Sequence, residues 1–121
     1  MRAAIRLQLK TIAGVQEVYQ GYTAPDEAAI PYLVVVFTDK DQSVNNRSGY
    51  FQRFSVMIYT KEKDFQAVDD LVAAVRTKLN DVLLTTTGGR KFRPEYVGTL
   101  EDYYEEETQL LSRRVDFSIP C

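Results

Sequence analysis

A chain of 121 residues is long enough to bury roughly two-thirds of the surface its unfolded form exposes, so a single domain over residues 1–121 is expected. Its 45% hydrophobic and 26% charged residues match the globular average and exclude a disordered tail. A formal charge of −2 gives no general attraction for nucleic acid or anionic lipid, so direct nucleic-acid recognition is not expected.

No apolar run approaches the roughly 20 residues that cross a bilayer, and no membrane partner is expected. At the start, Arg2, Arg6 and Lys10 are spread among the apolar residues instead of preceding an apolar block, which argues against a secretory signal. Cys121 has no second cysteine to pair with, so no internal disulfide forms and the chain reads as intracellular.

In chain order, residues 3–13 place Ile5, Leu9 and Ile12 on one helical stripe and Arg2, Arg6 and Lys10 on a neighbouring one, with Gly14 as the stop. A short strand over residues 15–19 follows, then a turn-rich stretch over 21–29 that carries Pro25 and Asp26. Residues 30–39 and 50–60 are two long strand candidates. The first is apolar on both alternating sets over 32–38 and should lie centrally, covered on each side. The second is one-sided: Phe54, Val56 and Ile58 make the face on which helices are expected.

Asp64 is placed to cap a helix running from Phe65 to about Leu84 on a wide apolar stripe that includes Val68, Leu71, Val75 and Leu79. Gly88 or Gly89 supplies the positive φ that ends it. Strands are expected over 95–100 and 109–119, separated by the acidic aromatic stretch 101–108. In the last strand Leu111, Val115, Phe117 and Ile119 share a face with Arg113, and Ser112, Arg114, Asp116 and Ser118 share the other. The order predicts an α+β domain, a mostly antiparallel sheet of four to five strands with two helices packed on it.

Catalytic chemistry finds little support. Without histidine there is no Ser-His-Asp triad, and without a second cysteine no ordinary zinc site; no phosphate-cradling or nucleophile-elbow motif is present. No catalytic residue, cofactor or metal ligand is assigned, and the chain is not expected to be an enzyme. Asp39, Asp41 and Ser43 echo the opening of a calcium loop, but Val44 stands where that loop needs glycine and Tyr50 where it needs glutamate. Asn46-Arg47-Ser48 fits a glycosylation pattern that an intracellular chain would not use.

Interaction surfaces are the better prospect. The connection over residues 40–49 is longer than a hairpin needs, which makes Lys40, Asp41, Asn45, Asn46 and Arg47 candidates for contact with a partner. Glu101, Asp102, Glu105, Glu106 and Glu107 form a dense acidic segment around Tyr103 and Tyr104, whereas Arg90, Lys91, Arg93 and the Arg113-Arg114 pair form compact basic sites. Such a segment serves as a solvated, aggregation-deterring edge or as one half of a head-to-tail interface between copies.

Several motifs together carry a resemblance: V-x-x-V-Y at 15–19, A-P-D at 24–26, P-Y-L-V-V-V at 31–36, F-S-V-M-I-Y at 54–59, the acid-capped helix over 64–83 and R-R-V-D-F-S-I at 113–119. In order and spacing they resemble the tail terminator, or tail completion, proteins of long-tailed phages and prophages. The resemblance implies a small α+β subunit that assembles as a homo-hexameric ring, caps the tail tube to end polymerisation and presents its other surface to the head connector or neck protein. It implies a place at the tail–head junction of the virion, with host cytoplasm as the site of assembly, and neither catalytic residues nor cofactors. On that basis residues 40–49 would reach toward the tube or a neighbouring ring, and the acidic segment would meet Arg90–93 or Arg113-Arg114 of the adjacent subunit. Two alternatives stay open: a phage neck or head-closure protein, and a small dimeric ligand-binding domain.

Overall fold

The computed structural model describes residues 2–21, 30–42, 50–61, 65–86, 88–100, 103–105 and 110–120. Its elements in order are α1 (Arg2–Leu9), β1 (Glu17–Gln20), β2 (Tyr32–Gln42), β3 (Tyr50–Lys61), α2 (Phe65–Leu79), β4 (Leu84–Thr85), β5 (Lys91–Phe92), β6 (Glu95–Thr99), β7 (Tyr103–Glu105) and β8 (Leu110–Pro120). The main sheet runs β1-β2-β3-β8-β6, with β7 also on β8. Because β3 takes one side of β8 from Lys61 opposite Leu110 to Phe51 opposite Pro120, β6 and β7 share its other side in succession. Among the described strands only β1 and β2 run parallel; the remaining pairs are antiparallel, as an α+β sheet built mainly of hairpins requires.

Both helices pack on one face. Ile5 and Leu9 of α1 and Leu71, Val75 and Leu79 of α2 join Leu33, Val35, Phe54, Val56, Ile58, Val115 and Phe117 in a single core. At its centre Phe54 stacks between Phe37 and Phe117, with ring centroids 5.4 and 5.3 Å away. The expected face of β3 therefore carries the helices. On the opposite face Tyr32 stacks on Tyr59 at 4.9 Å and meets Tyr19 edge-on at 5.6 Å, and Val34 beside them is also buried. Thus β2 is apolar on both sides for a physical reason, although the described helices cover only one of them.

Several boundaries differ from the sequence expectation, each for a local reason. Helix α1 ends at Leu9 and not Ala13, because the Thr11 hydroxyl and N–H both bond to the Gln8 carbonyl, at 2.6 and 3.3 Å, tightening the last turn. Helix α2 ends at Leu79 and not near Leu84. Asp81 takes φ of +56°, its N–H donates to the Pro94 carbonyl at 2.8 Å, and the Asn80 side-chain oxygen accepts the Tyr96 N–H at 2.9 Å. The apolar stripe continues in sequence as Val82 and Leu83, but the chain has already left the helix. Gly89, with φ of +86°, serves the tight turn of the β4–β5 hairpin and not the helix end. The capping role expected of Asp64 lies outside the described residues.

The two long strands extend further than expected: β2 continues to Gln42, with a register shift between Phe37 and Lys40, and β3 begins at Tyr50 opposite it. Of the ten-residue connection expected over 40–49, Lys40, Asp41 and Gln42 belong to β2, with Gln42 opposite Tyr50, and residues 43–49 lie outside the described residues. The acidic aromatic stretch, in which no strand is expected, contributes the short strand β7.

Because Phe54 is central and fully buried, Phe54→Ala should lower unfolding free energy by about 3–5 kcal/mol. A denaturant titration checks this; a loss below about 1 kcal/mol would mean that the stacked trio is not the centre of the core.

Candidate interaction surfaces

The predicted partner-facing residues separate into distinct places. Lys40 and Asp41 are in β2, paired with Gln52 and Phe51, and so belong to the strand and not to a loop. Asn45, Asn46 and Arg47 lie outside the described residues, as do Glu101, Asp102, Glu106 and Glu107. Glu105 is in β7, opposite Leu110.

The basic residues behave differently from one another. Arg113 stands on the helix-facing side of β8, only 16% exposed in its side chain, and its guanidinium donates to Asp69 of α2 at 2.6 Å. It ties helix to sheet within the subunit, and reversing its charge would set two carboxylates against each other there. Arg114 faces the other way and binds Asp116, two residues along the same strand face, at 2.8 Å. Arg93 reaches Asp81 at 3.6 Å, an exposed pair of small energetic weight. Arg90 and Lys91, on the β4–β5 hairpin, are exposed and make no ion pair among the described residues.

Asp116, which the sequence reading did not single out, organises the polar half of the open sheet face. Besides Arg114 it accepts a hydrogen bond from the Ser55 hydroxyl on β3 at 2.7 Å. Burial works to raise its pKa, but the Arg114 and Ser55 hydrogen bonds, with the fields of Arg114 and Arg53, outweigh it and hold the carboxyl below its ordinary value. The alternation of Ser112, Arg114, Asp116 and Ser118 marked this face in the sequence; the cross-strand serine did not.

The two outer edges of the sheet are unlike. At the β1 edge, Val18 has both backbone groups taken by side chains: its N–H donates to Glu17 Oε1 at 2.9 Å, and its carbonyl accepts from Arg6 Nε at 2.7 Å. Lys10 and Arg6 hold the same Glu17 carboxylate at 3.2 and 3.3 Å. The Val18 N–H first, and then Lys10, keep the Glu17 pKa below the usual carboxylate range. The basic stripe of α1 was visible in the sequence, and this is its use. At the β6 edge, Asn80 and Asp81 occupy the backbone only as far as Tyr96, whose ring lies 4.0 Å beneath the Arg76 guanidinium. Beyond it Val97 and Leu100 are 52% and 50% exposed.

Cavities are open and shallow among the described residues. A groove of about 360 Å³ is lined by Ala73, Arg76, Thr77 and Asn80, and a smaller notch of about 230 Å³ by Ile30, Pro31, Thr60, Lys61 and Ala67. Neither gathers buried polar groups around an apolar chamber, the arrangement a small-molecule site requires. No group of three potential metal ligands occurs among the described residues, and no helix there is long and apolar enough to cross a membrane.

The sequence profile of a family described as Tail completion protein gp17 matches residues 3–120. Among solved structures, a chain from the virion of the native gene transfer agent (GTA) particle shares the fold, with a TM-score of 0.72, 19% identity, and coverage of 99% of this chain and 92% of that one. No curated protein matches.

A carboxylate whose folded pKa is depressed contributes stability that is present above its unfolded pKa and lost as pH falls through the folded value. The melting temperature should therefore drop below about pH 4, and Asp116→Asn should make that acid limb shallower while lowering stability at neutral pH. Thermal scans across pH check this; an unchanged acid limb would mean that Asp116 does not contribute to it.

Proposed function

Since this chain belongs to the tail completion protein family, we propose that it works as a homo-hexameric ring that closes the head-proximal end of a phage-type tail tube, stops further polymerisation and offers its outer face to the head connector or neck protein. A structural role in a tail is what membership of the family carries. The ring, its stoichiometry and the capping step are the proposal, and so is the reading of residues 1–121 as one domain. The observation that supports it best is a family match spanning almost the whole chain.

The charge layout bears on how copies would meet. The β4–β5 hairpin is rooted at Asp81 and Pro94, near Glu95, which pairs with Ser118; β7 pairs with the opposite end of β8, at Ser112. Six residues of strand separate these points, about 20 Å along β8. Subunits related by rotation alone bring a basic end against an acidic end only if the strands run obliquely or around the ring. Strands parallel to the ring axis would instead turn the same complementarity into ring-on-ring stacking. Among the basic residues, Arg90, Lys91 and Arg93 suit a neighbour's acidic segment better than Arg113, whose partner is Asp69.

Purified protein added to growing tail tubes should shorten them and leave a ring at one end in electron micrographs. Unchanged tube lengths with no bound protein would overturn the capping function. Arg90→Glu with Lys91→Glu should reduce assembled species at least tenfold at fixed concentration, the effect of losing about 1.4 kcal/mol per contact, while the monomer melts as before.

A further inference from the structure

We infer that Arg6 and Glu17 lock the β1 edge: by bonding both backbone groups of Val18 they keep a strand of a second copy from adding to the sheet. The lock works whether or not the subunit forms rings, and it gives the basic stripe of α1 a role beyond packing.

A sheet ends in backbone N–H and C=O groups that recruit another strand unless something occupies them. Strand β1 lies at one end of the described sheet, beside β2. Within its four residues, Val18 has both groups engaged by side chains: the N–H donates to Glu17 Oε1 at 2.9 Å, and the carbonyl accepts from Arg6 Nε at 2.7 Å. An added strand needs those two groups, so it enters only by breaking both bonds.

The two locking side chains also hold each other. Arg6 Nη2 lies 3.3 Å from the same Glu17 oxygen, and Lys10, one turn further along α1, lies 3.2 Å from it. As an exposed ion pair alone, such a cluster would carry little energy. Its weight comes from placement: guanidinium and carboxylate are each joined to one backbone group and to one another, so a strand cannot displace one without unpairing the other.

The helix that presents Arg6 is itself fixed. Ile5 and Leu9 are fully buried in the core, and Gln8 Nε2 donates to the Lys78 carbonyl near the end of α2 at 3.1 Å. The guanidinium is therefore delivered from an anchored element, which lowers the entropic cost of holding it on Val18. Closure at this place is chemical and not steric. An open groove of about 320 Å³ is lined by Arg6, Val18, Tyr19 and Gln20, so there is space for a backbone while the Val18 groups are already used. The strand kept out is β1 of a second copy, because its edge carries the same two Val18 groups, and two freed edges would match in a two-fold pairing that joins the sheets.

The test compares two variants of the full chain, both of which leave the net charge at −2. Arg6→Ala with Glu17→Ala frees both Val18 groups; Lys10→Ala with Glu17→Gln dismantles the charge cluster but keeps an oxygen for the Val18 N–H and the Arg6 donor for the carbonyl. In dilute solution the first should exchange its Val18 amide about tenfold faster than the unaltered protein, or more. On concentration it should regain that protection and associate beyond the unaltered protein by light scattering, while the second variant matches the unaltered protein in both respects. A Val18 amide that exchanges as slowly as before would overturn the inference, and so would a freed amide with no extra association at any concentration. Association of the second variant would also overturn it, by assigning the effect to charge and not to the Val18 bonds. Should the first variant fail to fold, Arg6→Ala alone leaves β1 intact and frees only the carbonyl; extra association supports the lock, and its absence overturns it.

Discussion

The pairing of β3 with β8 is the constraint on which the remaining structure depends. Eleven consecutive residue pairs hold these strands together across the middle of the sheet, and the pleat sends Phe54, Val56 and Ile58 to the same side as Phe117, Val115 and Arg113. Slipping that register by one residue would move every one of these side chains to the other face. Once it is fixed, α2 has an apolar surface to lie on and a cation, Arg113, to hold with Asp69. Its C-terminal turn then sits beside Tyr96 and closes the start of β6.

One consequence is that both described helices lie on a single face. The other face carries a tyrosine cluster on β1, β2 and β3, and a polar network centred on Asp116 across β3 and β8. The edges are left to decide how such a subunit meets others. At one edge Arg6, Glu17 and Lys10 occupy the Val18 backbone; at the other, Val97 and Leu100 are half exposed past Tyr96 among the described residues.

How much of this was legible in the sequence follows from the range of the interactions involved. Strong periodicity placed α2 and the long strands, predicted the helix-bearing face of β3 and put Arg113 on the buried side of β8. Boundaries that depend on one distant contact could not be read. The apolar stripe of α2 continues through Val82 and Leu83, and only the bonds from Asn80 and Asp81 to residues around β6 show why the helix stops at Leu79. The same holds for Lys40 and Asp41: polar residues after an apolar strand read as a loop, yet each has a β3 residue opposite it. The candidate surface was legible as charge, in Arg90 and Lys91 of the β4–β5 hairpin. Its apolar component was not, since the exposure of Val97 and Leu100 depends on which strand ends the sheet.

The most direct measurement of the central claim is amide hydrogen exchange, comparing free protein with protein bound to tail-tube ends. The account predicts new protection over the β4–β5 hairpin that carries Arg90 and Lys91, with exchange in β1 unchanged because Val18 is already bonded in the free subunit. New protection confined to β1, with the hairpin exchanging as freely as before, would contradict it.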